Sequence, residues 1–436
     1  MNKTISVIIP THNRCRSLER LLNILGEQTY PLHLLQAIVV ADGCSDETLQ
    51  FLSNYQSFYN LQFTALPGLG AATARNIGVE KATGEILIFL DDDIEPSEGL
   101  VQAHAAAHGS DNTVVIGFLP MSLPKKATLH QINLTSWWDS KYFEMKNRYY
   151  RYNYEDLLSG NFSISARFFD EVKKFDCSFL CREDYELGAR LIKAGADFTF
   201  SAEAWGFHRD EVTDFPRLLQ RRRDEGRADV NFVGKHPGLL KRLRLNQYRG
   251  TLSFRKKIIL YFAFDNAYLG DTICNNLLSL LNTYERLKKR QSWHGLNYKL
   301  NDYWYLRGVA DELKTKEAFL SYLELTHAQM LKEYKGSLKV DLKAGIQEAE
   351  KLVDCLRPEA MQIFFGDHFI GKVKPVAGAE RLRGIHLKSI LATQFPDTLT
   401  HALMVEKIIK HHPNNSLDIK ASKINSLTSI TSIHGN

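Results

Sequence analysis

Ile86-Leu87-Ile88-Phe89-Leu90-Asp91-Asp92-Asp93 sets five apolar residues directly against three carboxylates. An apolar run of that length, with no polar member to meet water, has the composition of a strand buried on both faces. Such strands belong to mostly parallel sheets covered by helices, and in those sheets ligands bind outside the carboxyl ends of the strands. Asp91, Asp92 and Asp93 stand at such an end. Adjacent carboxylates repel one another, and a cation is the usual remedy. Mg2+ and Mn2+ favour oxygen ligands, and Mg2+ is commonly held by one or two carboxylates together with phosphates. A solvated acidic turn is the bland alternative, because Pro96 and Ser97 follow. For an isolated triplet that alternative is the better reading, but the apolar strand running into it reverses the preference.

Working outward, Ile5 to Ile9 is a short, mostly β-branched strand that stops at Pro10, and Leu18 to Leu25 carries helical spacing after a polar turn. Ala37 to Val40 is a second strand, ending at Ala41-Asp42-Gly43. Asp46 to Leu52 and Ala71 to Ala82 have helical composition, and Leu61 to Leu66 is extended. Strands alternating with helices predict an α/β fold with a mostly parallel sheet. Asp42 at its strand end can accept a hydrogen bond from a nucleobase imide or a ribose hydroxyl. It can equally cap a turn, since Ser45 and Asp46 are also capping types. Further along, Asp184, Leu187 and Leu191 recur at helical spacing. The helix dipole favours Glu183 and Asp184 in a first turn without any catalysis, while a general base needs the same rigid placement. His208 follows the strand-like Phe198 to Phe200. A lone histidine is usually structural, but a carboxylate site nearby would give it a metal to bind.

The order of these segments resembles family-2 glycosyltransferases. Val7-Ile8-Ile9-Pro10-Thr11-His12-Asn13-Arg14 and Val39-Val40-Ala41-Asp42-Gly43-Cys44-Ser45-Asp46 look like that family's opening. Gly70 to Gly78, Gly84-Glu85, Phe89 to Asp93, Gly160-Asn161-Phe162-Ser163 and Glu183 to Leu191 look like the blocks that follow. The resemblance covers roughly residues 4 to 210. It implies the GT-A fold and an inverting transfer from a nucleotide-sugar, most often a UDP-sugar, to a hydroxyl on a glycan, lipid-linked or protein acceptor. By position, Pro10, Thr11 and Arg14 would line the nucleotide pocket and Asp42 would meet the base. Arg75 would lie near the ribose or diphosphate, and Asp91 and Asp92 would also face the nucleotide-sugar. Asp91 and Asp93 are the outer members of a D-x-D motif for Mn2+ or Mg2+, with Asp93 the more direct ligand and His208 a further one. Asp184 matches the catalytic base, with Glu183 on the acceptor side.

Chemistry agrees with that placement. Cleaving the bond from anomeric carbon to phosphate builds negative charge on the leaving diphosphate, which a divalent cation stabilises as a Lewis acid. The attacking hydroxyl must lose a proton, so Asp184 is expected to be ionised. A glycoside hydrolase also needs two carboxylates, but not the nucleotide-pocket blocks. A sugar nucleotidyltransferase would carry a Gly-rich basic loop where Pro10 to Arg14 stands. A binding module that had lost catalysis would not need acidic residues at 42, 91, 93 and 184.

At 436 residues, 44% hydrophobic and 24% charged, the chain is that of a globular protein of two or three domains. The expected division is a catalytic domain over 1–215, a basic helical extension over 216–300, a mainly helical domain over 301–413, and a weakly ordered tail over 414–436. The six cysteines are scattered, which fits a reducing compartment. Cys177 and Cys181 lack a second pair with zinc-like spacing. The N-terminus has no signal-peptide pattern. Ile258 to Leu281 is the best membrane-span candidate, but Asp265, Asn266, Asp271 and Asn275 interrupt it. These features suggest a cytoplasmic protein, with peripheral contact at the inner face of the membrane.

That contact rests on Arg217 to Lys257, which holds thirteen Lys/Arg against three Asp/Glu, a formal +10. Its first cluster, Arg217 to Arg227, is assigned to the donor phosphates through Arg221, Arg222 or Arg223, with Arg223 preferred. Its second, Lys235 to Lys257, interleaves Leu239, Leu240, Leu243, Leu245 and Phe254, which suits an anionic membrane surface. No nucleic-acid-binding motif accompanies it. Processive relatives carry Q-x-x-R-W where this chain has Gln220-Arg221-Arg222-Arg223-Asp224, so polymerisation is not implied. Trp137 and Trp138, in the aromatic-rich stretch from Gln131 to Tyr154, are the expected acceptor platform. A buried aromatic cluster is the equal alternative.

Overall fold

The structure, a computed structural model, describes residues 2–120, 126–209, 215–330 and 337–411. The chain divides into two compact units, Met1–Tyr334 with Ala377–Glu380, and Lys335–Val376 with Arg381–Asn436.

The first unit begins β1 (Ile5–Thr11), α1 (Cys15–Leu25), β2 (Leu35–Asp42), α2 (Thr48–Asn54), β3 (Asn60–Leu66), α3 (Ala71–Glu80) and β4 (Ile86–Leu90). It continues β5 (Ile94–Pro96), α4 (Leu100–Ala107), β6 (Thr113–Phe118), α5 (Leu129–Met145), β7 (Asn161–Ser165), α6 (Ala166–Glu171), α7 (Glu183–Lys193) and β8 (Asp197–His208). The eight strands form one sheet in the order β3-β2-β1-β4-β7-β6-β8-β5. β1 runs parallel to both β2 and β4, while β7 and β5 enter antiparallel. Every residue of β2 and β4 is buried, and all of β1 except Pro10. That continuous burial is what their unbroken apolar runs require. Parallel pairing also carries the ends of β1, β2 and β4 to the same edge of the sheet, where Thr11 lies opposite Ala41.

Beyond β8 the unit is helical, with α8 (Phe215–Lys235), short 3-10 turns at Pro237–Arg242 and Arg244–Tyr248, α9 (Phe254–Leu260), α10 (Ala267–Arg286), α11 (Arg290–Leu313) and α12 (Lys316–Met330). α8 and α11 approach backbone to backbone through two glycines. A Cβ at Gly308 would lie 1.8 Å from the Arg223 carbonyl oxygen, and one at Gly226 2.0 Å from that of Tyr305. The boundary expected at residue 300 therefore falls inside α11, and the basic segment is part of the first unit. Leu239, Leu240, Leu243 and Leu245 are buried in its core. This corrects the expectation that they face a membrane; only Phe254 of that set is exposed. No helix of the described residues is long and apolar enough to cross a membrane.

The second unit holds β9 (Leu338–Asp341), α13 (Ile346–Leu356), β10 (Met361–Phe365), β11 (His368–Val373), α14 (Gly384–Gln394) and α15 (Pro396–His411). Its three strands form a sheet of their own in the order β11-β10-β9; β11 falls in Phe364 to Arg383, which the sequence marks as a small strand-and-loop piece, while β9 and most of β10 lie outside it. Val340, Val353, Met361, Ile363 and Leu387 form its core. The tail expected over 414–436 lies outside the described residues.

Candidate active site

The turn after β4 divides its three aspartates between two arginines, Arg14 for Asp92 and Asp93 and Arg75 for Asp91. Asp92 points back to β1, where Thr11 Oγ1 donates to it at 2.6 Å and Arg14 Nη1 at 3.0 Å. The same Arg14 nitrogen donates to Asp93 Oδ2 at 2.5 Å. Arg75, buried on α3, spans two carboxylates, with Nη2 donating to Asp91 Oδ1 at 2.9 Å and Nη1 to Glu183 Oε1 at 2.8 Å. Glu183 and Asp184 open α7, so Arg75 ties the first turn of that helix to the end of β4. Gly160 passes close by: its amide oxygen accepts from the Asp91 N–H, and a Cβ there would lie 3.1 Å from Asp91 Oδ2. Asp93 Oδ1 completes the set, 3.4 Å from His208 Nε2. Thr11, Arg14, Arg75, Asp91, Asp92, Asp93, Glu183 and His208 are thus linked by direct contacts at the carboxyl edge of the sheet, with Asp184 next in chain to Glu183.

These environments separate the carboxyl groups electrostatically. Burial pushes Asp92 up to about 6, against the opposing pull of Thr11 and Arg14. Burial also disfavours the charged form of Asp93, but His208 and Arg14 outweigh it and hold that carboxyl below its ordinary value. Asp184 is closely surrounded by protein. Its lost hydration, then the charge of Glu183, raise it to about 7, with the Tyr185 amide and Arg75 acting the other way. The ionised base expected from sequence is thus a group poised near neutrality when no substrate is bound.

One atom bears on metal binding. Asp93 Oδ1 is shielded from solvent and has no hydrogen-bond partner among the described residues. A carboxylate oxygen facing an imidazole nitrogen offers two donors that fit Mn2+ or Mg2+. Among the described residues no group of three or more His, Cys, Asp or Glu side chains forms a metal centre by itself. Asp91, expected as another ligand, is engaged by Arg75.

Other expected residues sit elsewhere. Both oxygens of Asp42 are occupied: Gly68 and Leu69 amides donate to Oδ1 at 3.0 and 2.7 Å, and the Gly70 amide to Oδ2 at 2.7 Å. Gly68 and Gly70 have φ of 96° and 91°, the left-handed backbone that suits glycine. Asp42 therefore buttresses the loop entering α3 from the end of β2, at the sheet edge that also carries Thr11. Arg223 turns away to α11, where Asp311 takes its Nε and Nη2 at 2.6 and 2.8 Å. Two of its five N–H donors are thereby committed to α11. Arg221 is the member of that cluster whose charge reaches Asp184. On α5, Trp137 is 47% exposed and meets Trp138 edge to face at 4.9 Å. Trp138 stacks on buried Tyr142 at 5.7 Å, and Tyr152 and Tyr154 are buried as well. Pro10 stays half-buried at the edge of β1.

Arg182 escaped the sequence reading. It precedes Glu183 with a left-handed φ of 61°, and it pairs with Asp229 at 3.1 Å and Glu225 at 3.5 Å on α8. The available signal was Glu225 and Asp229 at helical spacing, two of the three anions of a predominantly cationic helix. In α8 those carboxylates, more than the arginines around them, support the site.

A mostly parallel sheet with acidic residues at the ends of β2 and β4, tied through Arg75 to the start of α7, is the arrangement expected from the resemblance to family-2 glycosyltransferases. Residues 6–173 match the model of glycosyl transferase family 2. The chain is 28% identical over 275 residues to a validoxylamine A glucosyltransferase of Streptomyces hygroscopicus subsp. jinggangensis, covering 55% of this chain and 62% of that protein. It is 26% identical over 230 residues to the glycosyltransferase AglE of Haloferax volcanii, covering 52% and 73%. The alignment therefore spans less than two thirds of the first relative. Among solved structures, the mannosyltransferase PcManGT of Pyrobaculum calidifontis, in complex with GDP-Man and Mn2+, is similar at a TM-score of 0.42 and 15% identity, covering 77% of this chain and 89% of that one.

Proposed function

We propose that this protein transfers a sugar from a nucleotide-diphosphate donor, of the UDP-sugar class, to a hydroxyl of a glycan, lipid-linked or protein acceptor, with inversion at the anomeric carbon. The observation that carries this reading is Arg75 bridging Asp91 and Glu183. That bridge ties the first turn of α7, which holds Glu183 and Asp184, to the acidic turn after β4, which supports reading the two as one site. Asp184, near neutrality in its pKa, takes the proton from the acceptor hydroxyl as it attacks. Asp93 and His208 would hold Mn2+ or Mg2+, which supplies positive charge to the leaving diphosphate when bound. Arg14, on the same edge, keeps Asp92 and Asp93 in register. Trp137 offers an exposed ring face to an acceptor sugar.

Incubation with a panel of nucleotide-sugars and Mn2+, read as nucleoside-diphosphate release and as the product anomer by NMR, tests the proposal. With pyrophosphate added, formation of a nucleoside triphosphate and a sugar 1-phosphate from the nucleotide-sugar would instead mark a nucleotidyltransferase. Donor binding without release, across the panel and a range of simple acceptors, would mark a binding module.

A further inference from the structure

Between α8 and α11, away from the aspartate turn, lies a cleft of about 540 Å3 whose walls include Arg222, Arg244, His294, Asn297, Tyr298 and Asn301. That volume is within the roughly 300–1,000 Å3 of small-molecule sites. None of its lining residues is acidic. Two guanidinium groups and an imidazole therefore share a concave surface with no carboxylate in its wall.

The donors of these groups are only partly used. Arg244 Nη1 is shielded from solvent and makes no hydrogen bond among the described residues. Its nearest anion, Asp302 Oδ1, is 3.8 Å away, and the other oxygen of that carboxylate already accepts from Tyr248 Oη at 2.5 Å. A shielded donor without an acceptor is unfavourable unless a ligand supplies one. Arg222 donates Nε to Asn301 Oδ1 at 3.1 Å and Nη1 to Glu225 Oε2 at 2.5 Å, which leaves Nη2 without a partner among the described residues. The Arg244 guanidinium also lies 5.8 Å from the ring centroid of Tyr298, which is 55% exposed. An exposed aromatic face beside two arginine forks suits a sugar ring carrying an anionic group, and the planar fork matches phosphate oxygens.

The cleft is also connected to the catalytic base. Glu225 accepts from Arg222 on one side and pairs with Arg182 at 3.5 Å on the other. Arg182 immediately precedes Glu183 and Asp184 in the chain. The donor edge, by contrast, is built on β1 and β4.

We infer that this cleft is an acceptor-side subsite for a phosphate-bearing saccharide, with Arg222 and Arg244 taking the phosphate and Tyr298 the sugar ring. The acceptor-side assignment rests on the transferase reading above; the anion site itself does not.

Ligand-observed NMR on the full chain, with UDP and Mg2+ present to fill the donor edge, tests the inference using glucose 6-phosphate, glucuronate and glucose as probes. Glucose 6-phosphate is expected to bind roughly tenfold or more tightly than glucose, in a salt-sensitive manner. Gly295→Leu supplies a variant that folds. Gly295 lines the same cleft, a Cβ there meets nothing within 4 Å, and leucine suits a helix interior better than glycine. Its side chain is expected to obstruct part of the cleft and weaken glucose 6-phosphate binding about tenfold or more without lowering the melting temperature. Arg222→Gln is expected to weaken that binding about tenfold. Equal binding of glucose and glucose 6-phosphate, or binding that survives both substitutions, would overturn the site. Glucuronate binding as tightly as glucose 6-phosphate would overturn the choice of phosphate. Nucleoside-diphosphate release, measured in parallel, separates the two claims. Absent release with intact probe binding removes the transferase reading alone, and the converse removes this site alone.

Discussion

Asp93 and His208 meet because β5 and β8 pair antiparallel with Ile94 opposite His208, while the Arg209 amide donates to the Asp93 carbonyl oxygen. Sheet register thus fixes the 3.4 Å separation between Asp93 Oδ1 and His208 Nε2 from the backbone outward. If both are metal ligands, their removal should differ in severity. Asp93→Ala is expected to abolish turnover. His208→Ala should raise the Mn2+ needed for half-maximal rate about 10-fold or more, a cost comparable to losing the groups that support metal sites. Nucleoside-diphosphate release across a Mn2+ titration checks both, and an unchanged Mn2+ requirement in both variants would remove the metal assignment.

For Asp184 the pH dependence has a definite sign. The base form is the ionised one, and burial with the Glu183 charge raises its pKa to about 7. The kcat/KM profile should therefore rise with pH to about 7 and then level off. Glu183→Gln removes the repelling charge and is expected to move that limb to lower pH. Asp184→Asn should leave donor affinity nearly intact and reduce transfer by at least ~10²-fold. A second readout follows from linkage. The folded protein holds this proton more tightly than the unfolded chain does, so the resulting stability is complete at low pH and is lost as pH rises through about 7. Asn, which cannot ionise, is expected to raise the melting temperature at alkaline pH and not at acidic pH. Calorimetry at the two pH extremes decides it.

The parallel strands β1, β2 and β4 were legible because they are buried on both faces, so composition alone marks them. β4 reads as five apolar residues, and every one of them is buried. β7 was harder: it enters antiparallel as Asn161-Phe162-Ser163-Ile164-Ser165, and its buried polar members disguise a core strand. Ser163 and Asn161 survive there because His104 bonds both, at 2.9 and 2.8 Å. The acidic turn and the start of α7 were visible as residues, but their joining through Arg75 was not, since α3 brings that arginine from a distant segment. The basic stretch misled for a related reason. Charge counts ignore pairing, and Arg223 and Arg227 are both spent on Asp311.

Arg75 should be as costly to remove for the fold as for catalysis. Its side chain is almost fully buried, and both of its partners would lose their counter-charge at once. Arg75→Ala is expected to destabilise the first unit by roughly 3 kcal/mol, toward the lower end for a broken buried pair because Asp91 stays a third exposed. Arg75→Lys keeps the charge, but a single ammonium lacks the fork that reaches both carboxylates. It should recover much of the stability and little of the turnover. Urea melts alongside rate measurements test this, and equal recovery of both would make Arg75 a simple counter-ion.

Trp137 and Trp138 are neighbours on α5 with opposite surroundings, and substituting them separately divides acceptor binding from packing. Trp138 stacks on Tyr142, which is buried and meets Phe118 edge to face at 5.1 Å. Removing its ring opens a cavity against that core, so Trp138→Ala should destabilise the protein by up to about 3 kcal/mol. Trp137 is 47% exposed, and its recorded aromatic contact is the edge of Trp138. Trp137→Ala should therefore fold normally. If its exposed face receives the acceptor sugar, the variant raises the acceptor KM several-fold while kcat at saturating acceptor and the donor KM stay near their original values. Steady-state kinetics varying donor and acceptor in turn separates these terms. A Trp137→Ala enzyme with an unchanged acceptor KM would leave the pair as packing alone, and the acceptor would have to be sought elsewhere, beginning with Glu183.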